Sequence, residues 1–259
     1  MRNAAHAVWA AVSGTTVGEA WLRRDEPKSP QLVARYRDAI AQLEHGVPFA
    51  YAVGRVGFRT LDLAIDPRAL IPRPETEGLI DLVLARCSTG LVADIGTGSG
   101  CIALSLAVEG HFDKVVAVEQ SPAAAALARE NVKRIAPRTP VDVREGNLLA
   151  PLVDNGERFR AIVSNPPYLA AADHADLDRS VADFEPREAL CSGVDGLDAT
   201  RGLFAGAGSL LEPGGLVALE IDEGRADAVR NVGRGFGWDV EIFSDVFGRP
   251  RYALSIKED

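Results

Sequence analysis

Cysteine is scarce: the 259 residues hold three, Cys87, Cys101 and Cys191, and none belongs to a C-x-x-C pair. An odd count of scattered thiols excludes a disulfide framework and suits a reducing compartment, so a cytoplasmic protein is expected. The four histidines, His6, His45, His111 and His174, lack ligand spacing, so no metal site is expected. No nucleophile–base pairing is readable either. Long apolar runs are missing. The N-terminal one, Ala4 to Val12, contains His6, is too short to span a bilayer, and reads as an Ala-rich helix, so no membrane partner is expected. Positive charge is also short. Against 37 Asp and Glu stand 28 Lys and Arg, a formal charge of -9, which argues against a broad electrostatic grip on nucleic acid.

What is present is ordinary globular composition, 47% hydrophobic and 25% charged. At this length, one α/β domain with a small appendage fits better than two full domains. Residues 1–45 read as three short helices, broken at Ser13-Gly14 and across Asp25 to Pro30. From residue 46 to 75 the character changes. Val56 and Phe58, then Leu61, Leu63 and Ile65, alternate with polar or small residues, as in a β-hairpin linker. Pro72 and Pro74 then fix an extended stretch, after which Glu75 or Thr76 begins a helix running to Arg86.

Residues 76–259 alternate short apolar runs with helical patterns. The runs are Leu91–Asp94, Lys114–Glu119, Val141–Glu145, Arg160–Ser164 and Gly215–Ile221. Such alternation signals a parallel sheet with crossover helices. Ser121-Pro122 is a helix start, with Ala124, Leu127, Ala128 and Ile135 on one face. Two last runs, Asp239–Phe243 and Tyr252–Ile256, are joined without a helix and should pair antiparallel.

Asp94-Ile95-Gly96-Thr97-Gly98-Ser99-Gly100 follows a strand and precedes the apolar helix Cys101–Val108. Glycines there let the backbone approach a ligand closely. Their spacing departs from the dinucleotide G-x-G-x-x-G, and Asp94 suits a ligand carrying an amino acid moiety. A plain glycine-rich turn is the alternative. Glu119 ends the next strand about 20 residues on, where a carboxylate accepts ribose hydroxyls. Asn147 and Leu148 follow the third strand, placed to bond an adenine edge and pack on its face, or to make a simple turn.

Asn165-Pro166-Pro167-Tyr168 follows the fourth strand at the same sheet edge. Two prolines remove two backbone donors, leaving carbonyls and the Asn165 amide oxygen as acceptors for a planar NH2 group, with Tyr168 to stack on it. A proline turn alone does not account for all four residues.

These stretches, with Ile71-Pro72-Arg73-Pro74-Glu75-Thr76-Glu77 and Phe184-Glu185-Pro186-Arg187-Glu188-Ala189-Leu190 followed by Gly193, Asp195 and Gly196, resemble the HemK-type protein-(glutamine-N5) methyltransferases. The resemblance covers the chain from about Val47 onward. It implies an α/β, seven-stranded Rossmann-like class I methyltransferase domain, mostly parallel with an antiparallel last strand. It also implies S-adenosyl-L-methionine held by Asp94, Gly96, Thr97, Gly98, Ser99, Gly100, Glu119, Asn147, Leu148 and Asn165. The glutamine amide would be held by Asn165, Pro166, Pro167 and Tyr168, with Asn165, Pro166 and Tyr168 catalytic. Arg73, Glu75, Glu77, Phe184 and Glu185 would line the substrate entrance, or serve as ion pairs and packing between linker and domain.

The implied partner is a protein: a peptide chain release factor with its Gly-Gly-Gln loop, or a ribosomal protein. A monomer is expected. An adenine-N6 or guanine-N2 nucleic-acid methyltransferase shares the tetrapeptide and is the runner-up. Two departures stand out. Relatives usually carry Asp where this chain has Asn147, and residues 1–45 read shorter than the helical domain with which relatives grip their substrate.

Overall fold

A computed structural model describes residues 2–153 and 155–258; Met1, Asp154 and Asp259, which fall within the expected segments, lie outside the described residues. The chain begins with helices α1 (Arg2–Ser13), α2 (Val17–Leu22) and α3 (Pro30–Glu44). Their starts follow from local chemistry. Thr16 and Glu19 form a reciprocal capping box on α2, and the Ser29 hydroxyl accepts from Leu32 N ahead of Pro30 on α3. A short helix α4 (Phe49–Val53) follows, inside the stretch expected to be hairpin alone. Its Ala52 and Val53 close a small core with Val8, Val12 and Ala39, which is why this segment coils instead of extending.

The hairpin itself is β1 (Arg55–Phe58) against β2 (Leu61–Ala64), antiparallel. Arg55 ties it backward to the Ala11 carbonyl at 3.0 Å, and Asn131 grips it from the far side. The Asn131 amide is fully buried; it pairs with both backbone groups of Ala64 and donates to the Ser99 carbonyl.

The rest is α5 (Pro74–Leu84), β3 (Leu91–Ile95), α6 (Cys101–Glu109), β4 (Lys114–Glu119), α7 (Pro122–Ile135), β5 (Val141–Glu145), β6 (Phe159–Ser164), α8 (Arg179–Ala182), α9 (Asp198–Leu210), β7 (Leu211–Glu220), α10 (Ala226–Gly235), β8 (Glu241–Ser244) and β9 (Pro250–Ile256). Seven strands form one sheet in the order β5-β4-β3-β6-β7-β9-β8. The first five run parallel, and β9 is antiparallel to both its neighbours, as the missing helix before it required.

Strands β3, β4 and β6 are buried on both faces, which explains their continuous apolar runs. Val92, Val115, Ala117, Ala161, Val163, Leu216 and Ala218 pack with Leu79 and Ile80 of α5 and Ile102 and Leu106 of α6. The intervening residues, Ala93, Ile95, Val116, Val118, Ile162, Val217 and Leu219, pack with Leu203 and Phe204 of α9 and Val229 of α10. Two-residue periodicity thereby fixes where each strand's last residue points. Among the described residues no helix is long and apolar enough to cross a membrane.

Candidate active site

The parallel register aligns the strand ends. Val118 pairs with Ile95, Ile95 with Ser164, and Ser164 with Leu219. The next residues are Glu119 and Glu220, which close their strands, and Gly96 and Asn165, which open the loops after β3 and β6; the four stand in one row along the carboxyl edge of the sheet. By the alternation of the two core faces, the strand residues of this row, Glu119 and Glu220, belong to the side covered by α5 and α6. Open α/β sheets bind ligands at this edge.

The loop after β3 is built on glycines at φ 72° (Gly96), 55° (Gly98) and 86° (Gly100), a left-handed region that a side chain disfavours. Gly96 and Thr97 both donate to the Val118 carbonyl, at 2.8 and 3.0 Å. Asp94 is fully buried beneath the loop. Its Oδ2 accepts from Thr97 Oγ1 at 2.6 Å and from Ala103 N at 3.0 Å, while Oδ1 is buried without a partner. Burial pushes its carboxyl up to about 7. Glu119 accepts from Gly98 N at 2.8 Å through one oxygen and from Ser121 N at 2.9 Å through the other. Each oxygen keeps acceptor capacity for a further hydroxyl.

Beyond β5, Asn147 is exposed at the edge, and Leu148 sits at φ 46°. The Leu148 side chain leans on Gly202 of α9, so half of it is core and half remains at the rim.

At the end of β6 the Ser164 hydroxyl donates to the Ile95 carbonyl at 2.6 Å, locking the two strand ends together. Pro166 is buried, and Asn165, Pro167 and Tyr168 are half-buried. The Asn165 Nδ2 donates to Thr76 Oγ1 at 3.1 Å, and Thr76 Oγ1 donates to Glu220 Oε2 at 2.6 Å. Burial raises the Tyr168 hydroxyl to about 12 and the Glu220 carboxyl to about 7. The chain after Tyr168 is sewn to the segment after Arg187: Leu169 N donates to the Leu190 carbonyl, Ser192 N to the Leu169 carbonyl, and Ala171 N to the Gly193 carbonyl.

The residues expected at the entrance divide. Arg73 Nη2 donates to Glu185 Oε1 at 2.6 Å, and the other Glu185 oxygen accepts from Ile71 N. Glu77 accepts from the Arg59 backbone at the hairpin turn, at 2.8 Å. Phe184 packs in a cluster with Tyr51, Ile65, Ala69 and Leu127. The Glu75 carbonyl accepts from the Tyr252 hydroxyl at 2.7 Å. These side chains clamp linker, hairpin and domain into one piece at the mouth of the row. Thr76, which reads as a helix start within the linker motif, and Glu220 are not marked by the sequence as site residues. One local trace exists: Glu220 is a lone carboxylate at the end of the apolar run Leu216–Ile221.

A model of the methyltransferase small domain matches residues 75–182. A release factor glutamine methyltransferase of Moorella thermoacetica is 40% identical over 242 residues, covering 92% of this chain and 84% of that protein. The chain belongs to the release factor glutamine methyltransferase family. Another relative of the same name, from Geobacter sulfurreducens, is 42% identical over 81% of this chain and 72% of its own. A solved methyltransferase from Pyrococcus furiosus covers 89% of this chain and 100% of its own with a TM-score of 0.58 at 22% identity, a likeness of fold.

A release factor glutamine methyltransferase family member is an enzyme that draws its methyl group from S-adenosylmethionine. The glycine loop fits such a ligand. A side chain added at Gly96 would meet nothing within 4 Å, so the loop opens on free space. Asp94 holds an unused buried acceptor, and Glu119 has acceptor capacity to spare. Among the described residues no group of three His, Cys, Asp or Glu is placed to hold a metal ion.

Proposed function

We propose that this methyltransferase modifies the side-chain N5 of a glutamine presented by a protein, the Gly-Gly-Gln loop of a peptide chain release factor. The observation that carries the reading is the row Glu119, Gly96, Asn165 along one sheet edge. The glycine loop and a tetrapeptide suited to a planar amide stand side by side there, which supports the reading. The relatives' name points to the same substrate.

S-adenosylmethionine, when bound, supplies a methyl group on a positively charged sulfur. Gly96 to Gly100 would cradle it, with Glu119 taking its ribose hydroxyls, and Asn147 and Leu148 bordering the adenine. The orphaned oxygen of Asp94 suits its ammonium group.

An amide nitrogen is a poor nucleophile because its lone pair is delocalised into the carbonyl, so the site must orient it. The Asn165 Oδ1 and the Pro166 carbonyl accept the two N–H bonds of the glutamine amide, favouring the polarised form that reacts. Pro166 and Pro167 contribute no backbone N–H to compete for those acceptors. Tyr168 stacks on the amide plane, and its hydroxyl, raised to about 12, stays protonated and uncharged at neutral pH. Arg73, Glu77 and Phe184 serve the entrance by holding its walls, and the half-buried Glu75 lies beside it. Residues 1–45 form the substrate-gripping unit, 46–75 the linker and 76–259 the transferase domain of a cytoplasmic monomer.

The test is transfer of labelled methyl from S-adenosylmethionine to a purified release factor, a ribosomal protein and duplex DNA in parallel. Label on the release factor alone supports the reading; label on either other substrate, with none on the factor, overturns it. With Asn165→Ala, turnover should fall by about 100-fold or more, while cofactor binding falls less.

A further inference from the structure

Glu220 is out of place by its surroundings. It is 1% exposed at the end of an apolar strand, and burying a carboxylate is costly unless it is paired. No guanidinium or ammonium lies within ion-pair distance of it among the described residues; Arg73 and Arg251 act only through space. Among the described residues its carboxylate has one hydrogen bond, from Thr76 at 2.6 Å, and Thr76 in turn receives Asn165 Nδ2 at 3.1 Å. A carboxylate, a hydroxyl and an amide thus form a three-membered chain across β7, α5 and the loop after β6.

The polarity of that chain follows from donor and acceptor counts. An ionised carboxylate only accepts, so the Thr76 hydroxyl must give it its single proton. The Thr76 oxygen can then only accept, and Asn165 must offer it the NH2 end of its amide. The acceptor end, Oδ1, is consequently the end left over for the substrate. We propose that Thr76 and Glu220 form a relay that holds the Asn165 amide with its oxygen outward, making both of them positioning residues for methyl transfer to glutamine. This rests on the role given to Asn165 above.

The relay has one switchable member. A protonated Glu220 donates to Thr76, whose hydroxyl is then free to donate to Asn165 Oδ1. The amide is then no longer held with its oxygen outward, and the turned-over form presents NH2 to an incoming NH2, which cannot bind it. Burial raises Glu220 to about 7, opposed by the Thr76 bond and by Arg251 and Arg73 and reinforced by Glu75. Tyr168, Tyr252 and Cys101 also face its charge. The bias toward the productive orientation should therefore weaken as pH falls through the raised range of Glu220.

The experiment measures kcat and KM for the glutamine substrate between pH 6 and 9 with wild type, Glu220→Gln, Thr76→Val, Thr76→Ser and Asn165→Ala. Glutamine at 220 can accept or donate and so no longer dictates polarity. Glu220→Gln should lower kcat at pH 8 by roughly 2- to 10-fold, with KM changed less than about threefold. It should also flatten the acidic limb of the profile. Thr76→Val should match it, Glu220→Gln combined with Thr76→Val should be no worse than either alone, and Thr76→Ser should recover most of the rate. Wild-type kcat and an intact acidic limb in Glu220→Gln would overturn the relay. If that variant does not fold, the split between Thr76→Val and Thr76→Ser decides alone, and equal rates in the two overturn the relay. Full activity in Asn165→Ala would instead remove the underlying reading.

Discussion

Gly196 lies against the backbone of Tyr168 so closely that a Cβ there would stand 2.2 Å from the Tyr168 carbonyl oxygen and 3.0 Å from Ala170 N. Its φ of 79° is also one that side chains disfavour. Backbone cannot yield as the tip of a side chain can, so Gly196→Ala must push the Asn165–Tyr168 loop outward. The expected result is a loss in kcat of tenfold or more, since a displacement of about 1 Å costs up to 100-fold, while cofactor affinity stays within a few-fold. Steady-state kinetics beside calorimetric cofactor binding checks it, and an unimpaired kcat contradicts it.

The Arg73–Glu185 pair closes the linker onto the segment before α9. Glu185 is 2% exposed and Arg73 30% exposed. Removing one partner of a fully buried pair costs about 3–5 kcal/mol. With Arg73 partly in water, Arg73→Ala should cost roughly 2 kcal/mol, and Glu185→Gln less, because it removes the buried charge as well. Urea unfolding of both variants provides the check; equal loss in the two would contradict the ordering.

Asp94 gives stability a pH dependence of definite sign. Burial raises its carboxyl to about 7 in the folded chain, against an ordinary value of about 4. Between those values the folded chain keeps a proton that the unfolded chain has released, so stability declines as pH rises from about 4 to about 7. Asp94→Asn, which preserves an acceptor for Thr97 and Ala103, should remove part of that slope and melt higher than wild type at pH 8. Glu220, raised by the same burial, contributes the remainder. Cofactor binding should weaken in the same variant, because the buried negative charge is gone.

Asn147 is exposed and free to be exchanged without repacking. A carboxylate acceptor makes a shorter and roughly twofold stronger hydrogen bond to an amino group than a neutral one. Asn147→Asp should therefore tighten S-adenosylmethionine binding several-fold, measured by calorimetry, with kcat little changed. Weaker binding would remove Asn147 from the adenine edge.

Much of this is legible in the sequence. The parallel strands announce themselves as apolar runs because both their faces are covered, and β9 is antiparallel because no helix precedes it. The glycine loop and the Asn165–Tyr168 tetrapeptide stand next to strand ends, where the letters alone carry their geometry. What the sequence hides is contact across long separations. Thr76 and Glu220 are 144 positions apart, and neither has a local pattern that points to the other. Helix α4 is equally silent, being five residues long with no side-chain cap and existing for Ala52 and Val53 to reach α1 and α3. The sequence allows Arg73, Glu77 and Phe184 either an entrance or a structural role; their polar and packing contacts lie within the chain.

The most direct measurement is mass spectrometry of an unmethylated release factor after incubation with this enzyme and S-adenosylmethionine, beside a factor whose loop glutamine is replaced by alanine. One added methyl on that glutamine, absent from the alanine factor and from reactions with Asn165→Ala enzyme, is the predicted result. No methyl on the loop glutamine, with cofactor binding intact, would contradict it.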